Sequence, residues 1–155
     1  MSGTNQQREV TVSFEEGNPI FRVESVSASI EYYVRMLGFK LDWGDGGFAS
    51  VSRGSFNLFL SEGDQGHPGA WAWIGVSDAE ALHQEYLAAG ARMRHPPTNY
   101  AWACEMQVED LDGNVLRLGS DPDPNLPVGE WLDMHRQAWE RSPDGHWKQV
   151  EGRRL

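Results

Sequence analysis

One arrangement of segments occurs twice in this chain, at a period of roughly 50 residues, and that repeat restricts the fold more than any single motif. Residues 26–37, VSASIEYYVRML, space Val26, Ile30, Tyr33, Val34 and Leu37 onto one helical face. Ser25 or Ser27 can cap the start, and Gly38 can end the helix. Residues 79–89, AEALHQEYLAA, place Ala79, Leu82, Tyr86 and Ala89 on one face, between Asp78 as N-cap and Gly90 as stop. An apolar strand precedes each helix: PIFRV at 19–23 and WAWIGV at 71–76. Three strand-like segments follow each: FKLDW, GFASVSRG and SFNLFLSE after the first helix, then ARMRH, ACEMQVED and NVLRLGS after the second. Turn signals at Gly44-Asp45-Gly46-Gly47 and Asp112-Gly113-Asn114 separate strands in both copies. The pattern is βαβββ, written twice, and the expected class is α+β.

The flanks differ from this body. Residues 1–17 read as a polar arm, and 18–120 as one domain of two units, about 18–62 and 71–120. Residues 121–155 form an extension that starts with the proline-broken DPDPNLP and carries three tryptophans. Its SPDG is a good turn, so QAWER and HWKQV are expected to form a hairpin with Trp139 and Trp147 paired across it. The alternative is a short helix over 130–139. A segment this rich in tryptophan packs on the domain or on a neighbouring subunit.

Composition narrows the partners. The net charge is −10, with no basic patch, which disfavours nucleic acid and anionic membranes and attracts a cationic small molecule. No apolar run reaches the about 18 residues that span a bilayer. The N-terminus, MSGTNQQREV, lacks the apolar stretch of a secretory signal. A single cysteine, Cys104, forbids an internal disulfide and fits a reducing cytoplasm. Its expected role is a small buried residue, the alternative being a nucleophile.

SIEYYVRMLGFKLDW in the first unit, and DAEALHQEYLAAGARM with VEDLDGNVLRLG in the second, resemble the vicinal oxygen chelate superfamily. That superfamily includes glyoxalase I, extradiol dioxygenases, fosfomycin-modifying enzymes and bleomycin-resistance proteins. The resemblance covers about residues 18–120. It implies that each βαβββ unit forms half of a curved mixed sheet around a cleft. Metal enzymes of the superfamily place ligands at the opening of the first strand and on the last strand of each unit. The matching positions here are Asn18 or Pro19, Phe59, Trp71 and Arg117. None is a good divalent-metal ligand, and a cation beside Arg117 is repelled. The resemblance therefore implies the bleomycin-resistance branch, which is metal-free, dimeric and acidic and sequesters a drug without chemistry on it. No metal and no cofactor are expected. His67 or His95 would serve a shifted metal site.

Strand alternation sorts the side chains of that cleft. Leu58, Leu60, Leu116 and Leu118 take the helix side, which leaves Asn57, Phe59, Val115 and Arg117 for the cleft. Ile74 and Val76 match the helix side, which leaves Trp71 and Trp73 for the cleft. Trp43 and Trp102 are expected at its rim, with Phe48, Tyr100 and Glu105 nearby. The competing role for each tryptophan is a core filler. An aromatic cleft in an acidic protein suits a flat, cationic ligand. The expected function is a metal-free, homodimeric small-molecule binder of the cytoplasm, giving antibiotic resistance by sequestration. The first alternative is a lyase, isomerase or dioxygenase-like enzyme with a shifted metal site, or with Tyr100, Glu105 or His95 as acid or base. The second is an interaction module whose tryptophan-rich tail docks a protein.

Overall fold

The computed structural model describes residues 11–154 of the chain. Most of the polar arm expected over 1–17 lies outside the described residues; 11–17 are exposed coil. The first unit runs β1 (Ile20–Arg22), α1 (Val26–Arg35), β2 (Lys40–Gly44), β3 (Phe48–Arg53) and β4 (Phe56–Ser61). The second runs β5 (Trp71–Gly75), α2 (Ala79–Ala89), β6 (Arg92–Asn99), β7 (Cys104–Glu109) and β8 (Val115–Ser120). Each makes a four-stranded mixed sheet of the same topology, β1-β4-β3-β2 and β5-β8-β7-β6. The first and last strands pair in parallel in both, Ile20 beside Phe59 and Trp73 beside Arg117.

The helix signals act as expected. Ser25 caps α1, its Oγ accepting from the Ala28 N–H at 3.2 Å. Asp78 caps α2, accepting from the Ala81 N–H at 3.0 Å, and Gly90 ends it with φ 81°. One face of α1 differs from expectation. Val34 is 38% exposed, and Tyr32 and Ser29 are buried instead. The reason is tertiary: α1 packs on its own sheet and on the second unit, where Tyr32 and Tyr33 reach β7 and the turn beyond it. The Tyr32 hydroxyl donates to the Glu109 carbonyl, and Tyr33 donates to Asp110 Oδ2 at 3.0 Å.

Asp110 is the hub of the Asp-Gly-Asn turn. Its Oδ1 accepts from the Asp112 and Asn114 N–H groups, and its Oδ2 from the Asn114 amide and Tyr33. Asn114 in turn donates to the Arg22 carbonyl and accepts from the Ala70 N–H. The motif thus ties the second unit to the first. Helix-side residues of both sheets, Phe21, Leu58 and Leu60 from one and Met106, Leu116 and Leu118 from the other, form one core cluster. No helix among the described residues is long and apolar enough to cross a membrane.

Residues beyond Ser120 form a third, three-stranded sheet: β9 (Trp131–Leu132), β10 (Gln137–Arg141) and β11 (Trp147–Arg154), ordered β11-β10-β9. The hairpin forms around Ser142–Gly145, and no helix forms over 130–139. Its register differs from the expected tryptophan pair. Trp139 lies opposite Gln149 and Trp147 opposite Arg141, because the turn leaves Arg141 and Trp147 as its closing pair. Leu132 and Ala138 are fully buried. The Gly129 N–H donates to the Asn99 carbonyl, and a side chain at 129 would run into Thr98, so only glycine lets the extension enter flat on β6.

Candidate functional site

Because the helix sides of both sheets share one core, the opposite faces of the two sheets lie on the outside of the chain. The expected site residues divide between them, and the single chain does not bring the two groups together. Ring contacts occur within each group, and none joins the groups among the described residues.

The first-unit face is open and aromatic. Trp43 stacks on Phe48 with centroids 5.7 Å apart and planes 20° apart. Phe59 closes the cluster at 5.6 Å from Trp43 and 5.4 Å from Phe48. Trp43 is 48% exposed, and all of β2 is exposed. Asn57 sits on the same face, opposite Ser52. Asp42 was missed from the sequence: it accepts from the Ser50 and Ser52 hydroxyls at 3.2 and 2.9 Å. A β-bulge between Leu41 and Trp43 breaks the alternation that would have separated Asp42 from Trp43. The available signal was the pair Ser50 and Ser52, two hydroxyls on one face that need an acceptor.

The second-unit face is polar at its centre. Arg117 pairs both ways with Glu105, Nε to Oε2 at 3.0 Å and Nη2 to Oε1 at 2.9 Å. Glu105 is 1% exposed and also accepts from the Trp102 indole N–H. Gln107 lies opposite Arg117 and accepts from Arg94. Trp71 lies under the Arg94 guanidinium, 4.9 Å from its ring centroid. Trp73 is 52% exposed and lies across Gly119, where a methyl group would sit 3.2 Å from its ring. Tyr100 stacks on Trp102 at 4.8 Å with planes 4° apart.

The extension covers this second face. Trp131 packs against Trp71, Tyr100 and Trp102, and the Arg117 guanidinium lies 4.8 Å over its ring. Arg94 and Gln107 both donate to the Leu132 carbonyl, and Tyr100 donates to the Glu130 carbonyl at 2.7 Å. Asp133 organises the strands above. It accepts from the Gln137 and His135 N–H groups and from Trp139 Nε1 at 2.8 Å. Burial pushes its carboxyl up, but the Gln137 and Trp139 hydrogen bonds outweigh that and hold it below the ordinary range. Trp131, Asp133 and Trp139 were not expected at the site; the tryptophan content of the extension signalled packing but not where.

The donor chemistry does not fit a catalytic metal. Phe59 and Trp71 offer no ligand atom, Arg117 is a cation, and Asn18 is exposed in coil. Among the described residues, no three of His, Cys, Asp and Glu cluster in a way that could hold an ion. His67 is exposed in a loop, whereas His95 is 5% exposed with Nδ1 at 2.9 Å from the Pro96 carbonyl oxygen. The residues considered as acid or base are occupied. Tyr100 is 1% exposed, burial raises its pKa well above the ordinary phenol value, and its hydroxyl is spent on Glu130. Glu105 is held by Arg117 and Trp102. Burial pushes the Cys104 thiol up, away from thiolate reactivity.

The sequence profile of the family described as Glyoxalase/Bleomycin resistance protein/Dioxygenase superfamily matches residues 17–118. Among solved structures, a bleomycin-binding protein from bleomycin-producing Streptomyces verticillus, complexed with copper(II)-bleomycin, is 30% identical with a TM-score of 0.62. The match covers 70% of this chain and 98% of that one. The bleomycin resistance determinant of transposon Tn5 superposes with TM-score 0.61 at 19% identity, over 70% of this chain and 98% of that one. TioX from Micromonospora sp. ML1 does so with TM-score 0.59 at 19% identity, over 69% and 98%. No curated protein matches the chain by sequence.

Proposed function

This chain belongs to the Glyoxalase/Bleomycin resistance protein/Dioxygenase superfamily, and from that premise we propose that it is a metal-free protein that sequesters an aromatic, cationic small molecule. The observation that carries the reading is the division of the aromatic faces. Trp43, Phe48 and Phe59 stand on one outer face and Trp71, Trp73 and Trp102 on another, with no ring contact between the two groups among the described residues. A second copy of the chain closes the cleft, laying the first-unit face of one protomer against the part of its partner's second-unit face that the extension leaves exposed, around Trp73. Exposed rings at this density are surface that a partner or ligand covers. The net charge of −10 draws a cation in. The reading is also supported by the 30% identical structure, whose protein binds copper(II)-bleomycin. The homodimer acts in the cytoplasm, in keeping with its single free thiol, and confers antibiotic resistance by sequestration.

The test is titration of the purified protein with bleomycin, with and without copper(II), followed by tryptophan fluorescence and light scattering. Saturable quenching by a particle of twice 17.4 kDa is expected, and Trp43→Ala should weaken binding about tenfold, equivalent to about 1.4 kcal/mol. A 17.4 kDa particle at micromolar concentration, or a stoichiometric metal whose removal abolishes binding, would overturn the proposal.

A further inference from the structure

The extension does more than cover the second-unit face. With that face it borders an open recess of about 410 Å³ lined by Trp102, Trp131, Trp139, Trp147, Arg117 and Asp133. Four tryptophans border one small space. Trp102 spends one ring face on Tyr100, so the recess takes its other face. Trp131 stands at 70° to Trp102 with centroids 6.1 Å apart, and Trp147 is tilted by 50° at 6.3 Å. The walls therefore meet as corners and do not stack shut. Trp102 is anchored through its indole N–H to Glu105, and Trp139 to Asp133. The rings are thus held before any ligand arrives, which lowers the ordering cost of binding.

The charges select the ligand. Arg117 is matched by Glu105 through both carboxylate oxygens, so that pair is neutral. The Asp133 carboxylate also lines the recess, and among the described residues it makes no salt bridge. The recess already holds one delocalised cation of the chain's own, the Arg117 guanidinium over Trp131. Indole faces arranged at angles, with a carboxylate at the side, recognise a cation whose charge is spread over carbon, above all a quaternary ammonium group.

We propose that this tryptophan box is a binding site, complete within one chain, for an organic quaternary ammonium ion. It is distinct from the cleft between two copies. Four of its six lining residues, Trp131, Asp133, Trp139 and Trp147, lie beyond the family match that ends at residue 118. None of the first-unit rings takes part.

The experiment uses the full chain, with choline as the cation and 3,3-dimethylbutan-1-ol as its neutral isostere, neither of them aromatic, read by fluorescence quenching and by NMR of the ligand. The cation should bind at least tenfold more tightly than the isostere. Trp147→Ala should weaken the cation tenfold or more, and Trp147→Phe should restore most of the loss, which separates a ring contact from a folding defect. Asp133→Asn should weaken the cation severalfold while leaving the isostere unchanged. The affinity for the cation should be the same above and below the protein concentration at which the dimer dissociates, so the result does not depend on the intersubunit cleft. Equal binding of cation and isostere, indifference to Trp147→Ala in a folded variant, or loss of cation binding on dissociation into single chains would each overturn the proposal.

Discussion

The two βαβββ units carry different chemistry on the same diagonal of the same sheet. Ser50 stands opposite Phe59 in the first unit as Gln107 stands opposite Arg117 in the second. The diagonal neighbours are then Phe48 and Phe59 in one, rings 5.4 Å apart, and Glu105 and Arg117 in the other, an ion pair at 2.9 Å. A tryptophan lies on each: Trp43 on the phenylalanines and Trp131 on the arginine. The inner faces did not diverge this way, since Leu58 and Leu60 match Leu116 and Leu118 and all four are buried. The difference teaches what fixes each surface. The inner face is constrained by close packing in a shared core. The outer face is free to change, but a buried carboxylate imposes requirements that a phenyl ring does not: Glu105 must have a partner and the pair must be covered. The extension supplies that cover for the second unit, and the first is left open.

Breaking the ion pair is the largest test of this contrast. Arg117→Ala leaves Glu105, at 1% exposure, with only the Trp102 indole N–H. It should cost about 3–5 kcal/mol in urea unfolding, and Glu105→Leu combined with Arg117→Met should recover most of it. Phe59→Ala, at the matching place on the open face, should cost only about 1 kcal/mol because its ring is half-buried. Equal losses at the two sites would dissolve the comparison.

Next comes the cover. Leu132 is fully buried where β9 meets the second face, and Leu132→Ala should destabilise by about 2–5 kcal/mol. Hydrogen exchange should then quicken in β9–β11 and β7 before it changes in β3. Uniform loss of protection across both units would show the extension to be part of the common core.

Acid should act through the second unit as well. His95 is buried on β6, and burial holds its imidazole below its ordinary pKa of 6.5. The unfolded chain therefore binds a proton that the folded chain refuses, and stability should fall as pH drops through about 6.5 toward the folded value. His95→Gln should flatten that slope in urea unfolding measured from pH 7.5 downward. An unchanged slope would assign the acid sensitivity elsewhere.

The smallest effect on stability is expected at Trp43, which is 48% exposed. Trp43→Ala should change stability by under about 1 kcal/mol while weakening self-association measured by sedimentation. A large loss of stability with unchanged association would make Trp43 a structural residue of β2 and not part of an interface.

Much of the candidate site was legible as composition of faces but not as a site. Alternation placed Phe59, Arg117, Trp71 and Trp73 away from the helices, and the register agrees. It failed at Asp42, because the bulge in β2 puts Asp42 and Trp43 onto one face. The Glu105–Arg117 pair could be suspected from two strands of opposite charge, but not its burial, which depends on an extension that joins it from beyond residue 120.

The sequence by itself determined the two helices with their caps, the succession of strands along each unit, and the side of the first and last strands that meets the core. These follow from local periodicity, and from the free energy of burying residues such as Tyr33, Tyr86 and Leu116. Only the tertiary structure decided that the two aromatic faces point outward from a shared core, that the extension lies on one of them, and that Trp102 and Trp147 border the same recess. Those arrangements rest on contacts between residues far apart in the chain. Alternation and spacing carry no information about such contacts, because a sheet's outer face can be left open or covered without any change in the pattern that forms the sheet.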